Sequence, residues 1–361
     1  MKCYRFDTLD GIGALKLHDE GMPSPQRGEV LVKVQAVSLN YRDIAVVNGR
    51  YVHAAEPGLV PASDAAGVIV DVGEGVVDFK PGDRVVSSFH PRWFGGPLPD
   101  NAALLTYGSG IDGWLAEYKV VSQEAVVAIP STLDDVEAST LPCAATTAWT
   151  ALAGPAPIRA GHSVLTLGTG GVSVFALQFA KLLGARVVAT TSSEDKAAML
   201  RQLGADAVVN YAADAQWGKT ARQCLGGRGF DRVIEVGGAG TINQSLFAVA
   251  KGGEIALIGF LTEDNPGIDY YHLKSATAVL RGIAVGDRAA LQEVVQAVAA
   301  GGLPVCIIAQ PLRAASAKPI TNALIKTRFL PIRSVLIRLA ALGGQYLPHA
   351  HCSEAARRRG G

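Results

Sequence analysis

The densest chemistry in this 361-residue chain sits in one glycine turn and the strand that follows it. In SVLTLGTGGVSVFALQFAKLLGARVVATTSSEDK, residues 163–196, an apolar strand ends at Leu167, and Gly168, Thr169, Gly170, Gly171 and Val172 lead directly into apolar residues at helical spacing. A turn of this kind lets backbone approach a pyrophosphate, with the first N–H groups of the helix and its dipole facing the anion. A glycine triplet alone would say little, because glycine-rich turns also serve packing. The flanking strand, the helix and a second strand supply the context that a dinucleotide site needs. After that second strand, an acid would hold the ribose 2′-hydroxyl of NAD. The chain instead has Thr190, Thr191, Ser192 and Ser193, followed by Lys196. Hydroxyls and a cation suit a 2′-phosphate, so NADP(H) is favoured. Glu194 and Asp195 could be ordinary helix-start charges, and they leave NAD(H) open.

The elements that must position this turn follow from the rhythm of the chain. Apolar runs at Ser163–Leu167, Ala185–Thr190, Ala207–Asn210, Arg232–Val236 and Glu254–Ile258 alternate with helical patterns at Val172–Leu183 and Glu194–Leu203. Short buried strands separated by helices make a parallel sheet covered on both faces. The fold class is therefore α/β, with a doubly wound Rossmann domain over 129–290. Residues 1–128 read differently, as short strands such as Val30–Val37, Gly67–Val72 and Arg84–Ser87 cut by Gly and Pro turns, which predicts an irregular β domain. Residues 291–361 form a C-terminal return segment.

Composition narrows the function classes. Apolar residues make up 49% and charged residues 18%, enough for two buried cores and too apolar for disorder. Residues 1–300 hold 24 Lys and Arg against 31 Asp and Glu, an acidic body that argues against a nucleic-acid platform. No uncharged apolar run approaches the ~18 residues of a membrane span. The N-terminus has no basic-then-apolar leader, and the five cysteines are too scattered for a disulfide framework or a zinc knuckle. A cytoplasmic protein, without nucleic-acid or membrane partners, is expected.

GEVLVKVQAVSLNYRD (28–43), SDAAGVIVDVGEGV (63–76), FKPGDRV (79–85), LPCAATTAWTAL (141–152), LGTGGV (167–172) and IEVGG (234–238) together resemble the medium-chain dehydrogenase/reductase superfamily. The resemblance is to its zinc-independent alcohol dehydrogenase and quinone oxidoreductase-like branch, and it runs to about Pro304. It implies a GroES-like catalytic domain built from both chain ends, a Rossmann domain between them, and a cofactor in the intervening cleft. It also implies a small-molecule substrate and, since relatives dimerise through the Rossmann domain, a homodimer as one option. Zinc-using relatives hold a catalytic metal on two Cys and one His. Matching their motifs puts Asn40, Ser63 and Cys143 at those positions, and Pro91–Gly113, the counterpart of their structural-zinc lobe, has no Cys. No zinc is expected. Hydrogen-bond donors must then meet the developing oxyanion.

By the same resemblance, Asn40, Tyr41 and Arg42 line the nicotinamide pocket, with Tyr51 in the same loop region. Asn40, Tyr41 and Tyr51 are the catalytic candidates, while Arg42 is a cofactor contact or ties the loop down through Asp43. Thr147 and Val285 belong to the nicotinamide side, and Thr191, Ser192, Lys196 and Tyr211 to the adenosine end. Val236, Gly237, Ile258, Gly259 and Phe260 lie at the ends of later strands, where a cofactor crosses the carboxyl edge of the sheet. The activity implied is hydride transfer between NADP(H) and a carbonyl-type substrate, either alcohol/ketone interconversion or enone or quinone reduction. The second tolerates a missing Lewis acid better. A cofactor-binding protein with little turnover is the alternative.

The tail departs from the family. No acidic residue occurs from Val294 to Ser353, and CIIAQPLRAASAKPITNALIKTRFLPIRSV matches none of the expected terminal strand and helix, as though the reading frame had shifted. Residues beyond about 305 are expected to pack poorly. Each large apolar side chain left uncovered forgoes ~1.5–3 kcal/mol. Limited proteolysis read by mass spectrometry should cut first beyond residue 305 and later in the Rossmann domain. A tail as resistant as that domain, in a protein with robust turnover, would show a genuine folded replacement.

Overall fold

The computed structural model describes residues 1–51, 55–262 and 266–301, so the expectation for the tail beyond 305 lies outside the described residues. The described residues divide into two compact units, Met1–Cys143 with the segment Gly286–Gly301, and Ala144–Val285.

The first unit opens with a ribbon of β1 (Lys2–Phe6) and β2 (Leu15–Asp19). Then come β3 (Glu29–Ser38), α1 (Tyr41–Val47), β4 (Asp64–Val72), β5 (Arg84–Ser87), β6 (Tyr118–Ser122), β7 (Val126–Ala128) and α2 (Asp135–Ser139). The strands form one antiparallel sheet in the order β6-β3-β4-β5-β7. The alternation seen in the sequence explains β3: Val30, Val32 and Val34 are buried with Ile69, Val85, Trp114 and Val126, while Lys33 faces out. Two register shifts between β3 and β4 bend this sheet, as bulges do.

The second unit runs α3 (Thr146–Ala153), β8 (Ser163–Thr166), α4 (Gly171–Leu182), β9 (Arg186–Thr191), α5 (Glu194–Gln202), β10 (Ala207–Asn210), α6 (Trp217–Gln223), β11 (Phe230–Glu235), α7 (Ile242–Ala248), β12 (Val249–Leu257), α8 (Tyr270–Ala276) and β13 (Val279–Gly282). All six strands pair in parallel, in the order β10-β9-β8-β11-β12-β13. All four residues of β8 are buried, as are Val174, Phe175, Leu177 and Phe179 of α4, so sheet and helix share one core. The second unit is thus a doubly wound Rossmann architecture, and the first is GroES-like.

The chain then returns to the first unit as α9 (Arg288–Gly301), whose first residue donates its N–H to the Trp93 carbonyl at 2.9 Å. The sequence reading sets the domain limits at 128/129 and 290/291, whereas the compact units change at 143/144 and 285/286. Local bonding accounts for the first shift. Arg84 reaches Asp135 of α2 at 2.7 Å, and the Cys143 N–H donates to Asp64 at 2.9 Å, so the chain stays bound to the first unit through Cys143. Among the described residues, no helix is long and apolar enough to cross a membrane.

Candidate active site

In the second unit the glycine turn has the form the sequence implies. β8 ends at Thr166, and Gly168 takes a φ of +72°, a conformation that side chains resist. Thr190 in β9 accepts a hydrogen bond from the Gly168 N–H at 3.2 Å, and the Ser173 hydroxyl donates to the Leu167 carbonyl at 2.6 Å. The turn is thus pinned from both sides. Within 4 Å of where a Cβ would stand on Gly168 or Gly170 there is no atom, so the loop carries open space rather than a packed neighbour. Thr169 is buried, and Val172 lies in the first turn of α4, whose leading N–H groups point out of the helix start. This cradle fits the pyrophosphate of a dinucleotide.

The carboxyl ends of β9 and β10 bring the adenosine-end candidates together. Thr191 pairs with Asn210, and the Tyr211 N–H donates to the Thr191 carbonyl at 2.9 Å. Thr191 Oγ1 is buried without a hydrogen-bond partner, whereas Ser192 and Lys196 are exposed. Of the two acids there, Glu194 is already held by Arg201 at 2.6 Å. On the other side of the sheet's midline, Val236 and Gly237 follow β11, and Ile258, Gly259 and Phe260 follow β12. Thr147 is buried on α3. Val285 has a φ of +62°, which a β-branched residue adopts only when its surroundings impose it.

In the first unit, Asn40 is extended at the head of α1, and its N–H donates to the Asp43 carboxylate at 2.7 Å. Tyr41 is exposed, so of the three catalytic candidates it presents the most side-chain surface. Arg42 turns inward and is 5% exposed. Its guanidinium stacks between Tyr51 and Phe89, 4.9 and 4.8 Å from the ring centroids, and its Nη1 donates to the Tyr107 carbonyl at 2.9 Å. Nε and Nη2 of Arg42 have no hydrogen-bond partner. Arg42 thereby braces Tyr51 from within.

The three positions matched to zinc ligands converge on a residue that the sequence reading omits. Asp64, fully buried, accepts the Ser63 hydroxyl at 2.5 Å on Oδ1 and the Cys143 N–H at 2.9 Å on Oδ2. Asn40 Nδ2 is buried without a partner at hydrogen-bond distance, yet close enough to Asp64 to favour its ionised form. Burial pushes the Asp64 carboxyl up to about 7, against the hydrogen bonds from Ser63 and the Cys143 N–H. Burial and the neighbouring Asp64 also push the Cys143 thiol well up, although Cys143, in a π-helical turn before α3, retains some exposed surface. The set is thus a carboxamide, a hydroxyl already bonded to an acid, and a single thiol, of which only the thiol is a strong zinc ligand type. Among the described residues, no three His, Cys, Asp or Glu side chains group as metal ligands do. The clue to Asp64 was an acid opening the apolar strand SDAAGVIVDV.

Residues 26–131 match the alcohol dehydrogenase GroES-like domain family and residues 171–300 the zinc-binding dehydrogenase family. A zinc-type alcohol dehydrogenase-like protein of Schizosaccharomyces pombe is 40% identical over 301 residues, 81% of this chain and 87% of the relative. Acryloyl-coenzyme A reductase of Metallosphaera sedula is 32% identical over 73% of this chain and 77% of its own length. The crystal structure of a putative alcohol dehydrogenase from Sinorhizobium meliloti superposes with a TM-score of 0.77 at 40% identity, covering 84% of this chain and 89% of that one. The chain belongs to the medium-chain dehydrogenase/reductase superfamily, and it is an NAD(P)-dependent oxidoreductase.

Asp64 makes stability depend on pH in a defined direction. An unfolded Asp releases its proton near pH ~3.9, whereas the folded one keeps it to about 7. Between those values the folded state binds the extra proton, so stability falls as pH rises through the window. Asp64→Asn can keep both hydrogen bonds and lacks the titration. Denaturant midpoints of wild type and variant, compared at pH 5 and pH 7, should shift in the variant's favour by about 2 kcal/mol across that interval. A difference independent of pH would contradict the assignment.

Proposed function

We propose that this protein reduces a conjugated carbonyl compound, an enone or a quinone, with NADPH and without zinc. The observation that carries the reading is the donor set at Asn40, Ser63 and Cys143, where the Ser63 hydroxyl is spent on Asp64. Without a Lewis acid, reduction of a simple ketone concentrates charge on one oxygen, which must be protonated as it forms. Reduction at a conjugated position spreads that charge into an enolate or quinol, and hydrogen-bond donors of ordinary strength suffice.

When bound, NADPH supplies the hydride. Gly168, Thr169, Gly170, Gly171 and Val172 hold its pyrophosphate at the start of α4, and Thr191, Ser192, Lys196 and Tyr211 hold the adenosine end. Thr147, Val236, Gly237, Ile258, Gly259, Phe260 and Val285 line the nicotinamide half. The Asn40 carboxamide and the Tyr41 and Tyr51 hydroxyls donate to the substrate oxygen, and Arg42 holds Tyr51 in place. Lys196 is exposed and Glu194 is engaged by Arg201, so the cation is available to a 2′-phosphate.

Lys196→Ala should weaken NADPH by about tenfold or more, the size of one charge-assisted hydrogen bond, and leave NADH nearly unchanged. Titration of both nucleotides by fluorescence, with turnover of a panel of enones, quinones and alcohols, tests this. Equal loss for both nucleotides, or tighter NADH binding by wild type, would refute the NADPH preference. Turnover confined to alcohols would refute the substrate class.

A further inference from the structure

One buried acid in the second unit has no part in the reading above. Glu235 is the last residue of β11 and is 1% exposed. An apolar strand core has no need of a carboxylate, and burying one is costly unless donors surround it. Four do. Oε1 accepts the Gly237 N–H at 2.8 Å, the Gly238 N–H at 3.1 Å and the Thr241 hydroxyl at 2.6 Å, and Oε2 accepts the Ser245 hydroxyl. Among the described residues, no cation pairs with it within salt-bridge distance. The chain leaving β11 is therefore wrapped around this carboxylate.

The loop after β12 is bonded onto the same wrap. The Glu235 carbonyl accepts from the Ile258 N–H at 2.9 Å and the Gly259 N–H at 3.2 Å. The Gly237 carbonyl accepts from the Thr262 N–H at 2.9 Å and the Thr262 hydroxyl at 3.0 Å, and that hydroxyl accepts from the Gly240 N–H at 2.8 Å. A Cβ on Gly259 would stand 1.8 Å from the Val236 carbonyl oxygen, so the two loops touch backbone to backbone. Residues 236–241 and 258–262 behave as one clamped body. Strand order reverses between β8 and β11, and a dinucleotide lies across such a reversal. With the adenosine end over β9 and β10, the clamped loops fall to the nicotinamide half.

We propose that Glu235 is a positioning residue for the nicotinamide half of the cofactor: its carboxylate fixes the Val236–Gly238 turn, and through it Ile258–Phe260, as a preformed wall. The proposal rests on the dinucleotide reading above. Preorganisation of this kind raises affinity by removing the ordering cost from the binding step. A glutamine is a weaker substitute: one of its two ends is an NH₂ donor, which only the Ser245 hydroxyl is placed to accept, and only by reversing its own bond.

The test is a fluorescence titration of wild type, Glu235→Gln and Thr241→Val with NADPH and with 2′,5′-ADP, which carries only the adenosine end. Both variants should bind NADPH more weakly, Glu235→Gln by about tenfold or more, while 2′,5′-ADP binds as in wild type. Should Glu235→Gln fail to fold, Thr241→Val, which removes a single donor, carries the same expectation with a smaller loss. Parallel weakening of both ligands would mark a general structural role and overturn the proposal, as would unchanged NADPH binding in Thr241→Val and in any folded Glu235→Gln. Wild type binding neither nucleotide would defeat the dinucleotide reading itself. Wild type binding both, with the variants unchanged, would defeat only the clamp.

Discussion

The reversal of strand order between β8 and β11 is the constraint on which the nucleotide-binding unit depends. At that point the connections leave the carboxyl edge in opposite directions, and a crevice opens that no other part of a parallel sheet supplies. The Gly168 turn, pinned by Thr190 and Ser173, leads into α4, and the first N–H groups of that helix are the ones that on the proposed reading meet the pyrophosphate. Everything else in that unit supports the edge. The fully buried β8 and the inward side chains of α4 share the core beneath it, while the ends of β9, β10, β11 and β12 carry the residues to which the proposal assigns the nucleotide.

The first unit answers a different problem, which is how to keep polar groups inside an apolar sheet where relatives place a metal. Asn40, Ser63 and Cys143 occupy those positions, and Asp64 ties two of them together by hydrogen bonds. A carboxyl at that depth stays protonated far above its usual range, and it neutralises itself as a buried, unpaired acid must. Arg42, two residues after Asn40, is stabilised by two aromatic faces, a carbonyl and the neighbouring Asp43 carboxylate rather than by solvent. On the proposed reading, Asn40, Tyr41 and Tyr51 are the donors left for a substrate oxygen, which suits one that gains only partial negative charge.

Local pattern made the Rossmann unit legible. The strands at Ala207–Asn210 and Arg84–Ser87 fall where the apolar runs put them, and helix limits differ by a residue at α4 and α5, because period and turn chemistry act over a few neighbours. The glycine turn was readable for the same reason. Unit boundaries were not, since the bonds that keep residues up to Cys143 with the first unit join positions 51 and 79 residues apart in sequence. Asp64 and Glu235 were missed on similar grounds. Each is an acid at the end of an apolar strand, and only the folded chain reveals the donors that hold it there. The inward turn of Arg42 was likewise invisible, because a sequence shows an arginine after a tyrosine and not the rings that enclose it.

The proposed function requires that the site at Asn40, Ser63 and Cys143 does without a metal. Elemental analysis of protein purified without chelators, paired with NADPH-dependent enone or quinone turnover before and after dialysis against a zinc chelator, tests it most directly. The account predicts no stoichiometric zinc and turnover unchanged by dialysis. One zinc per chain, removed together with activity and restoring it when added back, would contradict it.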